Sequence, residues 1–370
     1  GDRLVKAIPD RDGVVNRGLL CANGKFGFAS AEEEVEKRVH RSLIKQADGT
    51  FAESGHHAAM MITVRNIMST ISRYGHDSVA VSLSARLTNE EAYMTKQLAD
   101  RFGIRTFSFS NKPSGMKKVL GVDASLNSID ELLGAQVILV AGYHVKANPI
   151  MRVKLMQAAK AGARVIFICT EDNIPENVAF ADEIHIIPDS IDFFRAMAKT
   201  LAADFDGEGI PGFDEFKKSL ARVKKSEDAE RIAKLYKEAK KAMIVYQQNY
   251  VSVECASLLS EMAVLSGRIG KPRDGIVLLR PENNSQGLIY LGITDGPEIL
   301  DGVRSLIIVG EDPDQRYLRD LDFLTVCDTH MTKTGEAADI VIQSPAPIHT
   351  DGTFINTERR MQTTKQVRKK

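Results

Sequence analysis

The four cysteines are the side chains best suited to bind a soft metal, and their spacing speaks against a local site. They lie at positions 21, 169, 255 and 327 and form no CxxC pair. This usage fits a reducing compartment and excludes a metal site built from neighbouring residues. Cys169, Cys255 and Cys327 fall in or beside apolar segments, a pattern that predicts small core residues.

Two turns that contain glycine are candidates for phosphate binding. The first is GYHVKANP, from Gly142 to Pro149, and the second is GEDP, from Gly310 to Pro313. Each follows a predicted strand, and open α/β sheets bind ligands at the carboxyl ends of their strands. Every strand-to-helix connection needs a turn of this kind, so ordinary connecting turns are the alternative interpretation.

Other motifs lack the context that their chemistry needs. Gly207, Gly209 and Gly212 satisfy GxGxxG, but a helix-like segment precedes them where a dinucleotide site needs a strand. We therefore interpret this segment as a linker. His56 and His57 are adjacent, and neighbouring side chains on a helix point in different directions, so we expect surface histidines.

Composition limits the classes of partner. The 370 residues include 43% hydrophobic and 26% charged residues, and the formal net charge is zero. A chain without a charge excess is not expected to bind nucleic acid or an acidic membrane. No apolar run is long enough for direct membrane insertion, and the polar start resembles no signal peptide, so we expect a cytoplasmic protein.

Short apolar runs alternate with stretches of helical periodicity, which predicts an α/β fold with mostly parallel sheets. The predicted strands are Val79–Leu83, Val137–Ala141, Arg164–Ile168, Glu183–Ile187, Ala242–Tyr246, Gly275–Leu279, Ser305–Val309, Phe323–Cys327 and Asp339–Ile342. The length also favours two lobes.

Three segments have the signals of helices. Thr88 is a cap residue before a helix that is predicted to end near Phe102, and Pro149 is a suitable first residue for a helix ending near Gly162. The lysine-rich segment 204–241 contains apolar residues at helical spacing and predicts two amphipathic helices between the lobes.

Several segments, in one fixed order, resemble the molybdopterin oxidoreductase superfamily, in particular formate dehydrogenase catalytic subunits and the large iron–sulfur subunit of NADH dehydrogenase. They are VNRGLLCANGKFGF (Val15–Phe28), SARLTNEEAY (Ser84–Tyr93), GYHVKANP, LSGRIGK (Leu265–Lys271), NNSQGLIYLG (Asn283–Gly292), GEDP, DTHMTKTGEAADIVI (Asp328–Ile342) and DGTFINTERRMQ (Asp351–Gln362).

The resemblance implies two Rossmann-like, three-layer lobes, one of them discontinuous. Mapped onto this sequence, residues 1–30 correspond to the end of a [4Fe–4S] segment. Residues 75–205 form an inserted lobe, and residues 31–74 together with 206–370 form the second lobe. The family's upstream cysteines and its C-terminal β domain have no counterpart here, so we expect a fragment of a longer polypeptide.

The resemblance also implies family cofactors, a [4Fe–4S] cluster and molybdopterin guanine dinucleotide. Cys21 corresponds to one cluster ligand, and one cysteine cannot hold four irons. The family's metal ligand falls within the interval 104–134, which contains no cysteine. Ser108, Ser110 and Ser114 are possible oxygen ligands there, although turn serines more often bond the local backbone.

The resemblance assigns ten residues to vestigial positions for the pterin dinucleotide. They are Gly142, His144, Asn148, Pro149, Asn284, Gln286, Gly287, Gly310, Asp312 and Asn356. Two departures argue against binding: His144 and Asn148 reverse the family's Asn and His, and Asp312 replaces a neutral amide. A carboxylate beside a polyphosphate repels it.

The favoured hypothesis is a non-catalytic module of an NADH- or formate-linked electron-transfer complex that supports iron–sulfur subunits and itself binds no cofactor. One alternative is an active molybdenum or tungsten formate dehydrogenase. A second alternative is a regulatory module that binds a nucleotide at a retained phosphate turn.

Overall fold

A computed structural model describes residues 4–33 and 38–367, and the chain divides into two compact units. Unit 1 comprises Gly1–Lys112, Glu282–Asn356 and Met361–Lys370. Unit 2 comprises Pro113–Pro281 and Thr357–Arg360.

The structure contains helices and strands in alternation. The helices are α1 (Ala22–Glu33), α2 (His56–Tyr74), α3 (Asn89–Arg101), α4 (Lys117–Leu120), α5 (Pro149–Lys160), α6 (Ser190–Ala202), α7 (Phe213–Ser219), α8 (Glu227–Glu238), α9 (Val253–Leu265), α10 (Ser285–Tyr290) and α11 (Lys333–Ala337). The strands are β1 (Ser42–Lys45), β2 (Phe51–Ser54), β3 (Val79–Leu83), β4 (Arg105–Phe107), β5 (Val137–Ala141), β6 (Arg164–Cys169), β7 (Glu183–Ile186), β8 (Ala242–Gln247), β9 (Gly275–Leu279), β10 (Ser305–Val309), β11 (Phe323–Asp328), β12 (Ile340–Gln343), β13 (Gly352–Ile355) and β14 (Met361–Thr364).

Unit 1 is built on a seven-stranded sheet in the order β2-β1-β12-β11-β10-β3-β4. The strands from β12 to β4 are parallel, while β1 pairs antiparallel with both β12 and β2. Val309 at the end of β10 lies opposite Leu83 of β3 and Cys327 of β11. The loops that follow these strands therefore leave the sheet at the same edge.

Unit 2 is built on a five-stranded parallel sheet in the order β7-β6-β5-β8-β9. Alternate residues of its strands enter two separate apolar clusters, one containing Leu139 and Ile166 and the other Ile138 and Phe167. Helices cover both clusters, since every residue of β5, β8 and β9 is buried. The predicted three-layer α/β architecture is confirmed.

The local signals in the sequence located most elements correctly. All nine predicted strands are present within one or two residues of their expected ends. Thr88 caps α3, because its hydroxyl accepts from the backbone of Glu91 at 3.2 Å while the Glu91 carboxylate accepts from the Thr88 N–H at 2.9 Å. Pro149 begins α5 as predicted. The hairpins β1–β2 and β13–β14 were not predicted.

The predicted boundaries of the inserted lobe, 75–205, are wrong. The strand β3 pairs with β10 of unit 1, and β8 pairs with β5 of unit 2. The inserted unit therefore extends over 113–281, and residues 31–74 plus 206–370 do not form one lobe. Strand pairing between distant segments decides these boundaries, and local periodicity carries no information about it.

The predicted role of segment 204–241 as a connection between lobes is also wrong. The two helices exist as α7 and α8, but both belong to unit 2. The apolar face of α8 packs into the cluster beneath α6 through Ile232, Ala233 and Tyr236, all fully buried. The apolar residues from which the helices were predicted thus complete the core of unit 2 and do not connect two lobes.

The histidine pair and the glycine triplet have the predicted settings. His56 and His57 are exposed at the start of α2, and the segment with Gly207, Gly209 and Gly212 follows helix α6 without a strand before it. Within the described part of the chain, no helix is both long and apolar enough to cross a bilayer.

Glu261 gives unit 2 a dependence of stability on pH. It lies on α9 at a cavity of about 240 Å³ shared with Phe213, Phe216 and Lys118. Burial, and to a smaller extent the nearby Glu254 carboxylate, raise the pKa of Glu261 from 4.5 to about 7. The folded chain therefore binds one proton more than the unfolded chain between these two values, and stability falls as pH rises through them.

We expect Glu261→Gln to increase the free energy of unfolding at pH 8 by about 1–2 kcal/mol, allowing for partial exposure. At pH 4 the variant and the parent should differ little, since Glu261 is then protonated in both states. Urea denaturation at both pH values measures this. Glu238→Gln, an exposed change on α8, is the control, and an equal effect of the two variants would refute the assignment.

Candidate functional site

A cavity of about 750 Å³ opens at the carboxyl edge of the unit 1 sheet. Its walls are the loops after β3, β4, β10 and β11, including Ser84, Ser110, Gly310 and Thr329. This is where parallel α/β sheets usually bind ligands. The predicted site residues Gly310 and Asp312 both line it.

The carboxylate of Glu311 organises the floor of this cavity. Its side chain is nearly buried, at 8% exposure. It accepts hydrogen bonds from the hydroxyls of Ser82, Ser108 and Ser110, the last two at 2.8 Å, and from the backbone N–H of Phe109 at 3.0 Å and of Ser110 at 3.3 Å. These donors compensate the cost of burying the charge. Sequence reasoning missed Glu311, although an acid two residues after an apolar strand was the available signal.

Further carboxylates at this edge are also bonded to the chain itself. Asp312 accepts from the backbone N–H of Thr334 at 2.9 Å and from its hydroxyl at 2.6 Å. Asp328 accepts from the N–H groups of Thr329, at 2.6 Å, and His330, at 3.2 Å. Both acids therefore hold loops together at the cavity rim.

The cationic side chains of the cavity are held by neighbouring acids. Arg86 donates to both oxygens of Glu282, each at 3.2 Å, and this contact raises the pKa of the guanidinium. Lys112 acts electrostatically on Asp295, whose own pKa is raised chiefly by burial. The Arg86 charge is therefore not left for a ligand without breaking its contact with Glu282.

A second candidate site lies in unit 2, at the turn after β5. Gly142 begins the turn at φ +56°, and a Cβ there would meet the Tyr250 carbonyl oxygen at 2.3 Å. The His144 ring stacks on Tyr250 with ring centroids 5.3 Å apart and planes at 9°. The His144 N–H donates to the Gln247 side chain at 2.8 Å.

Three buried polar atoms at this edge of unit 2 have no hydrogen-bond partner among the described residues. They are His144 Nδ1, Asn148 Oδ1 and Asn173 Oδ1. Asn148 occupies the N-cap position of α5, directly before Pro149, yet its side chain makes no capping bond. Buried polar groups normally have partners, so an unsatisfied group in a crevice points to a ligand. Asn173 was missed from sequence, although it follows strand β6 closely.

Beside this site, a buried ion pair holds Ser114. Arg280 donates to Asp123 at 2.8 Å, and their side chains are 1% and 4% exposed. Asp123 also accepts from the hydroxyl and, at 3.1 Å, from the N–H of Ser114. The three candidate metal-binding serines, Ser108, Ser110 and Ser114, therefore all donate to carboxylates.

The remaining predicted dinucleotide positions lie in the interior of unit 1. Asn284, Gln286 and Gly287 are buried. Asn284 accepts from the Ile355 N–H at 2.8 Å and donates to the Leu87 carbonyl at 2.8 Å, which attaches β13 to the unit. Asn356 is half-buried at the end of that hairpin. These residues do not line the cavity.

The cysteines are not brought together. Cys21 is half-buried before α1, and its Sγ accepts from the Gly24 N–H at 3.4 Å. Cys169 and Cys255 are buried as predicted, and burial raises the pKa of the Cys169 thiol. In residues 4–33 and 38–367, no group of three or more His, Cys, Asp or Glu side chains is arranged to hold a metal ion.

The two candidate sites differ in their fit to a pterin dinucleotide. The unsatisfied atoms of unit 2 suit ribose hydroxyls or base amino groups. The unit 1 cavity does not suit a pyrophosphate, because its acids outnumber its cations and already take the nearby donors. The unit 2 turn is therefore the better candidate for a nucleotide.

We expect Glu311→Ala to lower the free energy of unfolding by about 3 kcal/mol or more, because several buried donors lose their acceptor at once. Asp314→Ala, an exposed change at the same rim, should cost about 1 kcal/mol or less. Guanidinium denaturation followed by circular dichroism compares the two. Equal losses would show that Glu311 does not organise the cavity floor.

Comparisons with known proteins place this chain among oxidoreductases. The family model described as molybdopterin oxidoreductase matches residues 38–370. The F420-dependent formate dehydrogenase subunit alpha of Methanocaldococcus jannaschii is 28% identical, over 97% of this chain and 63% of that protein. Formate dehydrogenase H of Escherichia coli is 26% identical, over 95% of this chain and 60% of that protein. This chain thus spans less than two thirds of the length of either relative.

Solved structures show the same fold. Acetylene hydratase from Pelobacter acetylenicus matches with a TM-score of 0.72 at 16% identity, over 95% of this chain and 61% of that chain. A chain of the formyltransferase/hydrolase complex from Methylorubrum extorquens matches with a TM-score of 0.55, also at 16% identity, over 87% of this chain and 92% of that chain. Since the family model extends over most of the sequence, this chain belongs to the molybdopterin oxidoreductase family.

Proposed function

We propose that this chain is the α/β body of an oxidoreductase of the formate dehydrogenase type, and that it contributes no protein ligand to a catalytic metal. The formate dehydrogenase names of its relatives support the class of enzyme. The chain then acts as a non-catalytic support within a redox complex. Partner subunits that carry iron–sulfur clusters are part of the proposal, since one relative is named as a subunit alpha.

The hydrogen bonds made by the serines in the interval 104–134 are the main support for this proposal. The interval contains no cysteine, and a serine ligand would have to present its oxygen to the metal in place of its present bond. Ser108 and Ser114 are buried and, like Ser110, are bound to carboxylates. A metal placed there would need these bonds to break, which takes a hydroxyl donor away from the buried carboxylate of Glu311 or Asp123.

Metal analysis tests the non-catalytic role. The chain should be purified from a host that makes molybdenum and tungsten pterins, and its metal content measured by mass spectrometry together with pterin fluorescence after denaturation. We expect neither metal in stoichiometric amount. A known molybdenum enzyme from the same culture controls for recovery. One molybdenum or tungsten atom per chain would instead support the alternative, an active formate dehydrogenase.

A second candidate function is nucleotide binding by unit 2. The specific observation is the set of unsatisfied atoms of His144, Asn148 and Asn173, together with the stacking of the His144 ring on Tyr250. Asn148 can offer its oxygen to a ligand without loss of a helix cap, because its side chain caps nothing. The nucleotide would then act as a structural or regulatory ligand.

Thermal unfolding with a panel of nucleoside diphosphates tests this candidate. A nucleotide that binds the folded chain raises the midpoint of unfolding with its concentration. We expect Asn148→Ala to weaken binding by roughly fivefold to tenfold, the effect of one lost hydrogen bond, while the stability without nucleotide stays close to that of the parent. His56→Ala, an exposed change in unit 1, is the control. No shift with any nucleotide would remove the candidate.

A further inference from the structure

Backbone N–H groups at the carboxyl edge of unit 1 already donate to carboxylates of the same unit. Such amides are the usual donors to a phosphate at a strand end. Six are engaged by four carboxylates: Phe109 and Ser110 with Glu311, Thr329 and His330 with Asp328, Thr334 with Asp312, and Arg316 with Asp314. The chain's own side chains thus occupy the positions in which an anion would bind.

The charge of the cavity lining opposes an anion as well. Six carboxylates and two cationic side chains line it, which leaves a formal excess of four negative charges. The acids are Glu282, Asp295, Glu311, Asp312, Asp314 and Asp328, and the cations are Arg86 and Lys112. Each carboxylate about 4 Å from a phosphate charge weakens binding roughly fivefold even in water, and more where the site is partly buried.

The corresponding turn in unit 2 has a different acceptor. The backbone N–H of His144 donates to Gln247, whose side-chain amide is neutral. The unsatisfied atoms there belong to the side chains of His144 and Asn148, neither of which is a carboxylate. The acceptors at the two strand ends therefore differ, since unit 1 uses carboxylates and unit 2 uses a neutral amide.

We propose that the carboxylates lining the unit 1 cavity are a charge filter that excludes polyphosphate groups, and that Asp312, Asp314 and Asp328 are its main specificity-determining residues. Nucleotide phosphates would then bind at unit 2 alone. The claim that nucleotides bind at unit 2 rests on the proposed nucleotide site. The exclusion of polyphosphate from the unit 1 cavity depends only on the residues of unit 1.

The sequence contains no tryptophan, so the fluorescence of one introduced tryptophan can report ligand binding at each candidate site. Tyr317→Trp places the indole at the unit 1 cavity, where Tyr317 packs against Phe109 with ring centroids 5.4 Å apart. Tyr250→Trp places it beside His144 in unit 2. The full chain carrying either change is titrated with inorganic pyrophosphate and with GDP. We expect no saturable fluorescence change for Tyr317→Trp and saturation by GDP for Tyr250→Trp.

Neutralising the three carboxylates should allow pyrophosphate to bind in the unit 1 cavity. In the Tyr317→Trp chain, D312N/D314N/D328N keeps an oxygen acceptor at each position but removes three charges. We expect this chain to bind pyrophosphate with an affinity at least roughly tenfold higher than the parent reporter. The matched control is D48N/D77N/D100N, which makes the same change of net charge at three exposed positions of unit 1 and should remain unresponsive.

Two results would overturn the filter: saturable quenching of the Tyr317→Trp chain by pyrophosphate before neutralisation, or no response of the neutralised chain while circular dichroism shows it folded. If the triple variant does not fold, D314N alone replaces one exposed side chain and should raise the affinity for pyrophosphate by a smaller factor. No increase in affinity would refute the filter. A flat GDP titration of Tyr250→Trp would contradict the unit 2 site and leave the unit 1 result intact.

Discussion

Backbone N–H groups in the loops after parallel strands need hydrogen-bond acceptors. Whether the acceptor at a sheet edge is a charged carboxylate or a neutral amide affects which ligands can bind there. In unit 1 the acceptors are carboxylates, with Glu311 at the centre of five donors. A buried carboxylate is tolerated only with such a set of donors. The same bonds that make the floor of the cavity rigid also make it a poor site for another anion.

The need of buried carboxylates for donors connects the serines of the interval 104–134 with the acids of the unit 1 cavity. The serines that follow β4 are the possible metal ligands of the family interval, and they are also the donors that stabilise Glu311 and Asp123. Their hydroxyls cannot serve both purposes, because a metal ligand would have to give up its hydrogen bond to a buried carboxylate. The proposed lack of a protein ligand would then be related to the acidity of the unit 1 cavity, because Ser108 and Ser110 donate to Glu311 there.

The candidate site was only partly predictable. The turn from Gly142 to Pro149 and the turn at Gly310 were recognised because a glycine after an apolar run indicates a strand end. The partners of these turns were not recognised: Gln247 and Tyr250 meet His144 from more than a hundred residues away. Asn284 and Gln286, taken from the motif as dinucleotide positions, are buried packing residues, since a motif does not reveal which way a side chain faces.

The sequence by itself determined the local structure and the family, because hydrophobic periodicity, the cap at Thr88 and the ordered motifs are properties of neighbouring residues. Only the tertiary structure decided that β3 joins β10 and that β8 joins β5, and so where the inserted unit begins and ends. It also decided which acids share a cavity. Pairing and burial arise between segments far apart in the chain, and neither leaves a signal in local periodicity.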